Sequence, residues 1–231
     1  MNRPRLALAL LTIVLLIAFF PMRIALAGLG DNAVIGVRKV EGSIWNARLS
    51  GVTVGELVLG DFRASVSPWR LMTLRGYVDV GSISDASLRG TIIGSPWNWG
   101  FRDMNAGLAL AGAFAPLPVE SLGLSGAGIR FEGDRCLQTT GSLRLQLKGS
   151  INGVDLGSAL SGPLRCDGKA VSALLISGSA MERVALRLTP DGAYSARLNV
   201  KAGDPATGVK LAQAGFRDTP IGHEFAFSGR F

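Results

Sequence analysis

The sequence predicts a mainly β protein: one N-terminal transmembrane helix, then a curved, mostly antiparallel β-sheet with one short helix. Three observations predict it. An uninterrupted apolar run lies near the start, the apolar residues after Gly28 recur with a period of two, and 31 glycines break that period into short pieces.

The leader comes first. Arg3 and Arg5 precede an apolar run from Leu6 to Phe20, which closes at Pro21, Met22 and Arg23. No acidic residue precedes Asp31, so the positive-inside rule places the N-terminus in the cytoplasm and everything beyond the run outside it. A membrane-spanning helix needs roughly 20 residues, and Ile24 to Leu29 extend the run if Arg23 snorkels toward the headgroups. Ala25-Leu26-Ala27 before Gly28 also reads as a small-x-small peptidase site, so cleavage stands as the alternative. The reading taken is residues 1–27 as cytoplasmic tip and retained single-pass anchor and residues 28–231 as a single exported domain.

The strands follow in order. Phe62, Ala64 and Val66 alternate with Arg63, Ser65 and Ser67; Leu143, Leu145 and Leu147 alternate with Arg144, Gln146 and Lys148. The pattern returns at Val184, Leu186 and Leu188, at Tyr194, Ala196, Leu198 and Val200, and at Phe225 and Phe227. Each segment has one wet and one dry face. Gly51, Gly60, Gly76, Gly90, Gly141, Gly149 and Gly192 supply turns and bulges for short antiparallel connections. Helical signals are nearly absent. The best is Ser67-Pro68-Trp69-Arg70-Leu71-Met72, a serine N-cap with proline at the first helical position. Without helices, the dry face has to be hidden by the sheet itself, as a sandwich, a barrel or a groove filled by something else.

Charge and chemistry exclude several function classes. Of 24 basic residues, Arg3, Arg5 and Arg23 flank the leader, leaving 21 against 17 acidic ones. These are scattered singly along alternating strands and read as a solvated face, with no cluster for nucleic acid. Cys136 and Cys166 are the only thiols, and in an oxidising exported compartment an even pair is expected to close. A metal or redox site is the alternative, which the absence of C-x-x-C and the single histidine, His223, disfavour. The chain has no G-x-S-x-G elbow and no H-E-x-x-H, and Glu41, Asp61, Asp79 and Asp85 stand as ordinary turn and edge residues. No catalytic residue, metal or cofactor is expected, and His223 reads as a residue at a strand entrance.

Among the tryptophans, Trp45 shares a predicted strand face with Ala47 and Leu49, and Trp69 caps the short helix. Trp97 and Trp99 flank Asn98 in a loop-like pair that serves either packing or contact with a partner or membrane interface.

The run Gly42-Ser43-Ile44-Trp45-Asn46-Ala47-Arg48-Leu49, then Phe62 to Pro68, Trp69, and Leu74-Arg75-Gly76, resembles protein N of the type II (general) secretion pathway. Cys136 and Cys166 match the cysteine pair in that family's later strands. Ala47 stands where the family pattern has glycine. The resemblance implies a non-enzymatic envelope component that helps move folded exoproteins across the outer membrane, in contact with the inner-membrane platform, notably protein C and the pseudopilin-handling parts. Gly42, Ser43, Trp45, Asn46, Pro68, Trp69, Trp97 and Trp99 are then the candidate partner or packing residues, together with the exposed sheet edges. The resemblance also implies a sheet similar to the AsmA-like, taco-shaped folds, so a groove holding phospholipid acyl chains is the competing reading. An outer-membrane barrel, prompted by the terminal alternation ending at Phe231, is disfavoured by a chain with only two tyrosines, since such barrels carry aromatic girdles.

Overall fold

The computed structural model describes residues 12, 15, 19–27, 35–54, 57–67, 76–85, 87–95, 98–109, 118–151 and 154–230. Most of the expected anchor, residues 1–11, 13, 14 and 16–18, lies outside them, as does the expected short helix from Pro68 to Met72. Among the described residues no helix is long and apolar enough to cross a membrane. The chain divides into two compact units, Met1–Ala86 and Ser87–Phe231.

The first unit holds a one-and-a-half-turn helix α1 (Met22–Ala27) and strands β1 (Ile35–Ser43), β2 (Asn46–Val54), β3 (Leu57–Val66) and β4 (Gly76–Ser82). The strands pair antiparallel in chain order. The alternation of β3 does what its period requires: Phe62 and Ala64 are buried while Arg63 is exposed. The β2–β3 register slips between Leu49 and Val52, where Gly51 takes φ +63 and its N–H is received by the Asp61 carboxylate at 2.9 Å. Glycine supplies that left-handed residue and Asp61 satisfies the amide the bulge leaves unpaired.

The second unit carries β5 (Arg89–Gly94), β6 (Asn98–Ala109), β7 (Val119–Glu132), β8 (Arg135–Leu147), β11 (Ala159–Asp167), β12 (Ala170–Ser177), β13 (Glu182–Leu188), β14 (Ala193–Val200), β15 (Arg217–Thr219) and β16 (Gly222–Arg230). The two-residue strands β9 (Ser150–Ile151) and β10 (Val154–Asp155) form a small hairpin of their own between β8 and β11. Sheet order in this unit is β5-β6-β7-β8-β11-β12-β13-β14-β16-β15, antiparallel throughout its described pairs. Rows of facing residues carry the core: Leu145 stands opposite Leu160, and Leu175, Val184, Leu198 and Phe225 stand opposite one another in turn. Leu147, Leu160, Leu175 and Leu198 are at most 1% exposed. At roughly 1.5–3 kcal/mol for each fully buried leucine, this face is the main source of the unit's stability.

One expectation fails. Helix α2 (Pro205–Gln213) covers part of the apolar face, so the sheet does not hide it alone. Asp204 caps α2, its carboxylate accepting the Thr207 N–H at 2.9 Å and the Thr207 hydroxyl at 2.7 Å, and Pro205 opens the first turn. Leu211 is fully buried, and Phe216 just beyond the helix lies against Phe225 with ring centroids 5.3 Å apart. The start signal is present in the sequence. With Gly208 at its centre and Leu211 its only buried residue, however, the segment lacks the apolar stripe that marks a helix.

Candidate functional site

The motif residues from Gly42 to Asn46 gather into one tight hairpin end in the first unit. Gly42 faces Ala47 and Ser43 faces Asn46, which leaves Ile44 and Trp45 as a two-residue loop between β1 and β2. Trp45 therefore does not share a strand face with Ala47 and Leu49; strand pairing resumes only at Asn46, and the ring is held half-buried in the turn. Gly42 takes φ +90, and a Cβ there would stand 2.4 Å from the Asn46 carbonyl oxygen, so glycine is required. Ala47 is an ordinary strand residue, 1% exposed, whose methyl group is part of the core.

This turn receives the end of the N-terminal apolar run. The Ile44 N–H donates to the Phe20 carbonyl at 3.1 Å, and the Ile44 carbonyl accepts the Val66 N–H at 3.0 Å. Pro21 bridges to Ser43, and Met22, the first residue of α1, is 6% exposed in a cluster with Ala47 and Ala64. Val40, Ile44, Leu49, Val78 and Val80 pack around that cluster. A small residue at 47 and another at 64 leave the space that the flexible Met22 side chain fills. Beside the turn, Lys39 and Glu41 form an ion pair at 2.7 Å, and the hydrogen bond from Lys39 with its charge holds the Glu41 carboxyl below its ordinary range.

A second cluster closes one end of the other unit. Cys136 on β8 and Cys166 on β11 form a disulfide with Cα atoms 5.5 Å apart. It sits behind two hairpin turns, Gly133–Asp134 between β7 and β8 and Gly168–Lys169 between β11 and β12. The Cys136 N–H donates to the Gly168 carbonyl at 3.1 Å, and the Lys169 ammonium pairs with the Asp134 carboxylate across the turns. That hydrogen bond and charge lower the Asp134 pKa and raise that of Lys169. Trp99 belongs to β6, not to a loop. Its ring stacks on Phe131 with centroids 4.5 Å apart, and its indole N–H donates to the Gly133 carbonyl at 2.9 Å. Phe131 and Cys136 in turn pack with Ile129 and Val171. Trp99 nevertheless keeps 42% of its surface open.

The remaining candidates are quickly placed. Pro68, Trp69 and Trp97 lie outside the described residues. His223 is the second residue of β16, with Nδ1 2.5 Å from the Asp218 carboxylate, beside an open cleft of about 540 Å³ that Asp204, Gly208 and Val209 also line. Among the described residues no group of three or more His, Cys, Asp or Glu side chains is placed to hold a metal. Sequence reading missed Met22 and Phe20 as members of the hairpin site, since both read as the greasy end of the leader. Pro21, which ends the apolar run, was the available signal that the chain changes role there.

The geometry thus comprises two turns, each held by contacts from residues distant in sequence. A family model described as type II secretion system (T2SS), protein N, matches residues 33–220, a stretch that contains the Gly42–Asn46 turn, both cysteines and α2. No curated protein and no solved structure matches the chain.

Proposed function

The chain belongs to the type II secretion system protein N family, and from that premise we propose that it works as a single-pass inner-membrane component whose periplasmic β domain acts by protein–protein contact. Residues 1–27 are the retained anchor, with the N-terminus cytoplasmic, and residues 28–231 are the periplasmic body. The platform proteins, protein C and the pseudopilin-handling parts among them, are the partners this reading assigns. No chemistry is asked of the domain.

The observation that carries the proposal is the seating of Phe20, Pro21 and Met22 in the Gly42–Asn46 turn. A peptidase cut after Ala27 would withdraw a buried side chain from the first unit's core and strip the Ile44 amide of its acceptor. Losing a buried methionine costs about 2–5 kcal/mol where the site cannot collapse, and the Ile44 amide left without its acceptor adds to that loss. A leader that completes the fold of the body is a leader to be kept. The packing of Leu147, Leu160, Leu175 and Leu198, together with the cover that α2 gives, supports protein contact over an acyl-chain groove along those strands.

Deleting residues 28–231 in the native host tests the role. Exoproteins should accumulate in the periplasm while their passage across the inner membrane continues; normal appearance of exoproteins in the medium would refute it.

A further inference from the structure

The face of the second unit opposite its leucine core is not evenly polar. Arg144, Ser161, Ile176, Arg183 and Asn199 stand opposite one another in one row across β8, β11, β12, β13 and β14. In the next row Ala185 stands between Leu174 and Arg197. Because directly opposed residues in antiparallel pairs project to the same side, these rows place three guanidinium groups around two aliphatic side chains. Leu174 is 53% and Ile176 39% exposed. Arg165 follows one row on, and Arg187 beside it is already held by Asp167 at 2.9 Å. Glu224 shares the first row, opposite Asn199 and Arg217.

At the centre lies an unanswered pair. The Arg183 Nε and the Asn199 Oδ1 are both buried without a hydrogen-bond partner, although the two residues face each other across β13 and β14. Asn199 is 5% exposed, and its amide nitrogen is spent on the Thr219 hydroxyl at 3.4 Å. Among the described residues no carboxylate lies within ion-pair distance of Arg144, Arg165, Arg183 or Arg197. Buried polar groups of this kind are normally satisfied, and of the two only the Arg183 donor is one that a carboxylate can answer.

We propose that this face docks an acidic segment of a partner protein, its carboxylates on Arg144, Arg183 and Arg197 and its aliphatic side chains on Leu174 and Ile176. None of the five strands contains a lysine. An anionic membrane surface attracts Lys and Arg alike, as charges, whereas the planar guanidinium fork matches a carboxylate at a fixed position. Arginine interleaved with exposed aliphatic residues, and lysine excluded, is the composition of a protein contact. The inference rests on the protein's acting through protein contacts, and names the surface and the partner's chemistry.

The test uses the full chain in its own membrane, with a photo-reactive benzophenone side chain at Leu174 and the adduct identified by mass spectrometry. The expected adduct is a protein segment with Asp or Glu flanking the attachment point, its yield reduced about tenfold or more in Arg144→Gln/Arg183→Gln/Arg197→Gln, as for loss of a strong charge-assisted contact. The corresponding triple lysine variant should fall between. Formation of the Cys136–Cys166 disulfide checks folding, and the exposed single change Arg197→Gln, expected to lose several-fold, gives the reading if the triple variant fails that check. A lipid adduct, a neutral or basic segment, an adduct indifferent to these arginines, or no adduct overturns the proposal. Secretion by the domain deletion is scored separately: an acidic adduct with normal secretion sinks the role and keeps the surface, and a secretion block with a lipid adduct does the reverse.

Discussion

The two units close their strand ends in opposite ways. In the first, the Ile44–Trp45 turn is held from outside the sheet, by backbone bonds to Phe20 and Val66 and by Met22 filling the space above Ala47 and Ala64. In the second, the Gly133–Asp134 and Gly168–Lys169 turns are held from within, by the Cys136–Cys166 bridge, the Asp134–Lys169 ion pair and Trp99 on Phe131. The second closure is complete in the body itself once the chain reaches an oxidising compartment. The first draws on Phe20, Pro21 and Met22, which precede the strands. One closure is therefore internal to its unit, and the other draws on residues 20–22 at the end of the apolar run.

The largest test of that contrast is the bridge. Cys136→Ser with Cys166→Ser should cost the second unit on the order of 3–4 kcal/mol, the loop-entropy value for about 30 residues. Hydrogen exchange should quicken in β8 and β11 and stay unchanged in β1–β3; equal quickening in both units would break the comparison. Met22→Ala should do the converse, weakening β1–β3 by about 2–4 kcal/mol, whereas Met22→Leu should cost under about 1.5 kcal/mol because volume is kept. Thermal melts with exchange by mass spectrometry read both. Trp99→Ala loses a stacked ring and an indole hydrogen bond, about 1–2 kcal/mol together, confined to the second unit. Gly42→Ala forces a Cβ into the Asn46 carbonyl at positive φ and should cost more than about 1 kcal/mol in the first.

The smallest effect is that of acid. Asp134 is held below its ordinary value of 3.8 by Lys169, and Asp191 is lowered to about 2 by the Thr189 hydroxyl and then by Arg230. A depressed carboxylate contributes stability above its unfolded pKa and loses it as pH falls through the folded one. For Asp191 the loss therefore falls between about pH 4 and pH 2. Both groups are exposed, so the effect is small and shrinks with salt. Melts of Asp134→Asn and Asp191→Asn should match the parent more closely at pH 2 than at pH 6; a difference that grows on acidification would show the sign is wrong.

What could be read from the sequence follows from which residues repeat. Leu143, Leu145 and Leu147 declare a strand and a buried face by themselves, and the structure buries all three. The pairing of Cys136 with Cys166 was legible because only two thiols exist. Met22 was not legible, since nothing in an apolar run says which residue turns back into a core. Trp45 was misplaced for a related reason: a two-residue loop can be as apolar as a strand, and Gly42 marks the turn only once its φ is known. The fit of α2 depends on Gly208 letting the helix approach His223, a contact between residues 15 positions apart that no local period records.

The most direct measurement is exoprotein release in cells lacking the native protein and supplied with one of two forms: the full chain, or the body from Gly28 exported behind a cleavable leader. The full chain should restore release. The freed body should form its disulfide yet leave exoproteins in the periplasm, because the first unit lacks Met22 and the protein lacks its anchor. Equal rescue by both would contradict the account.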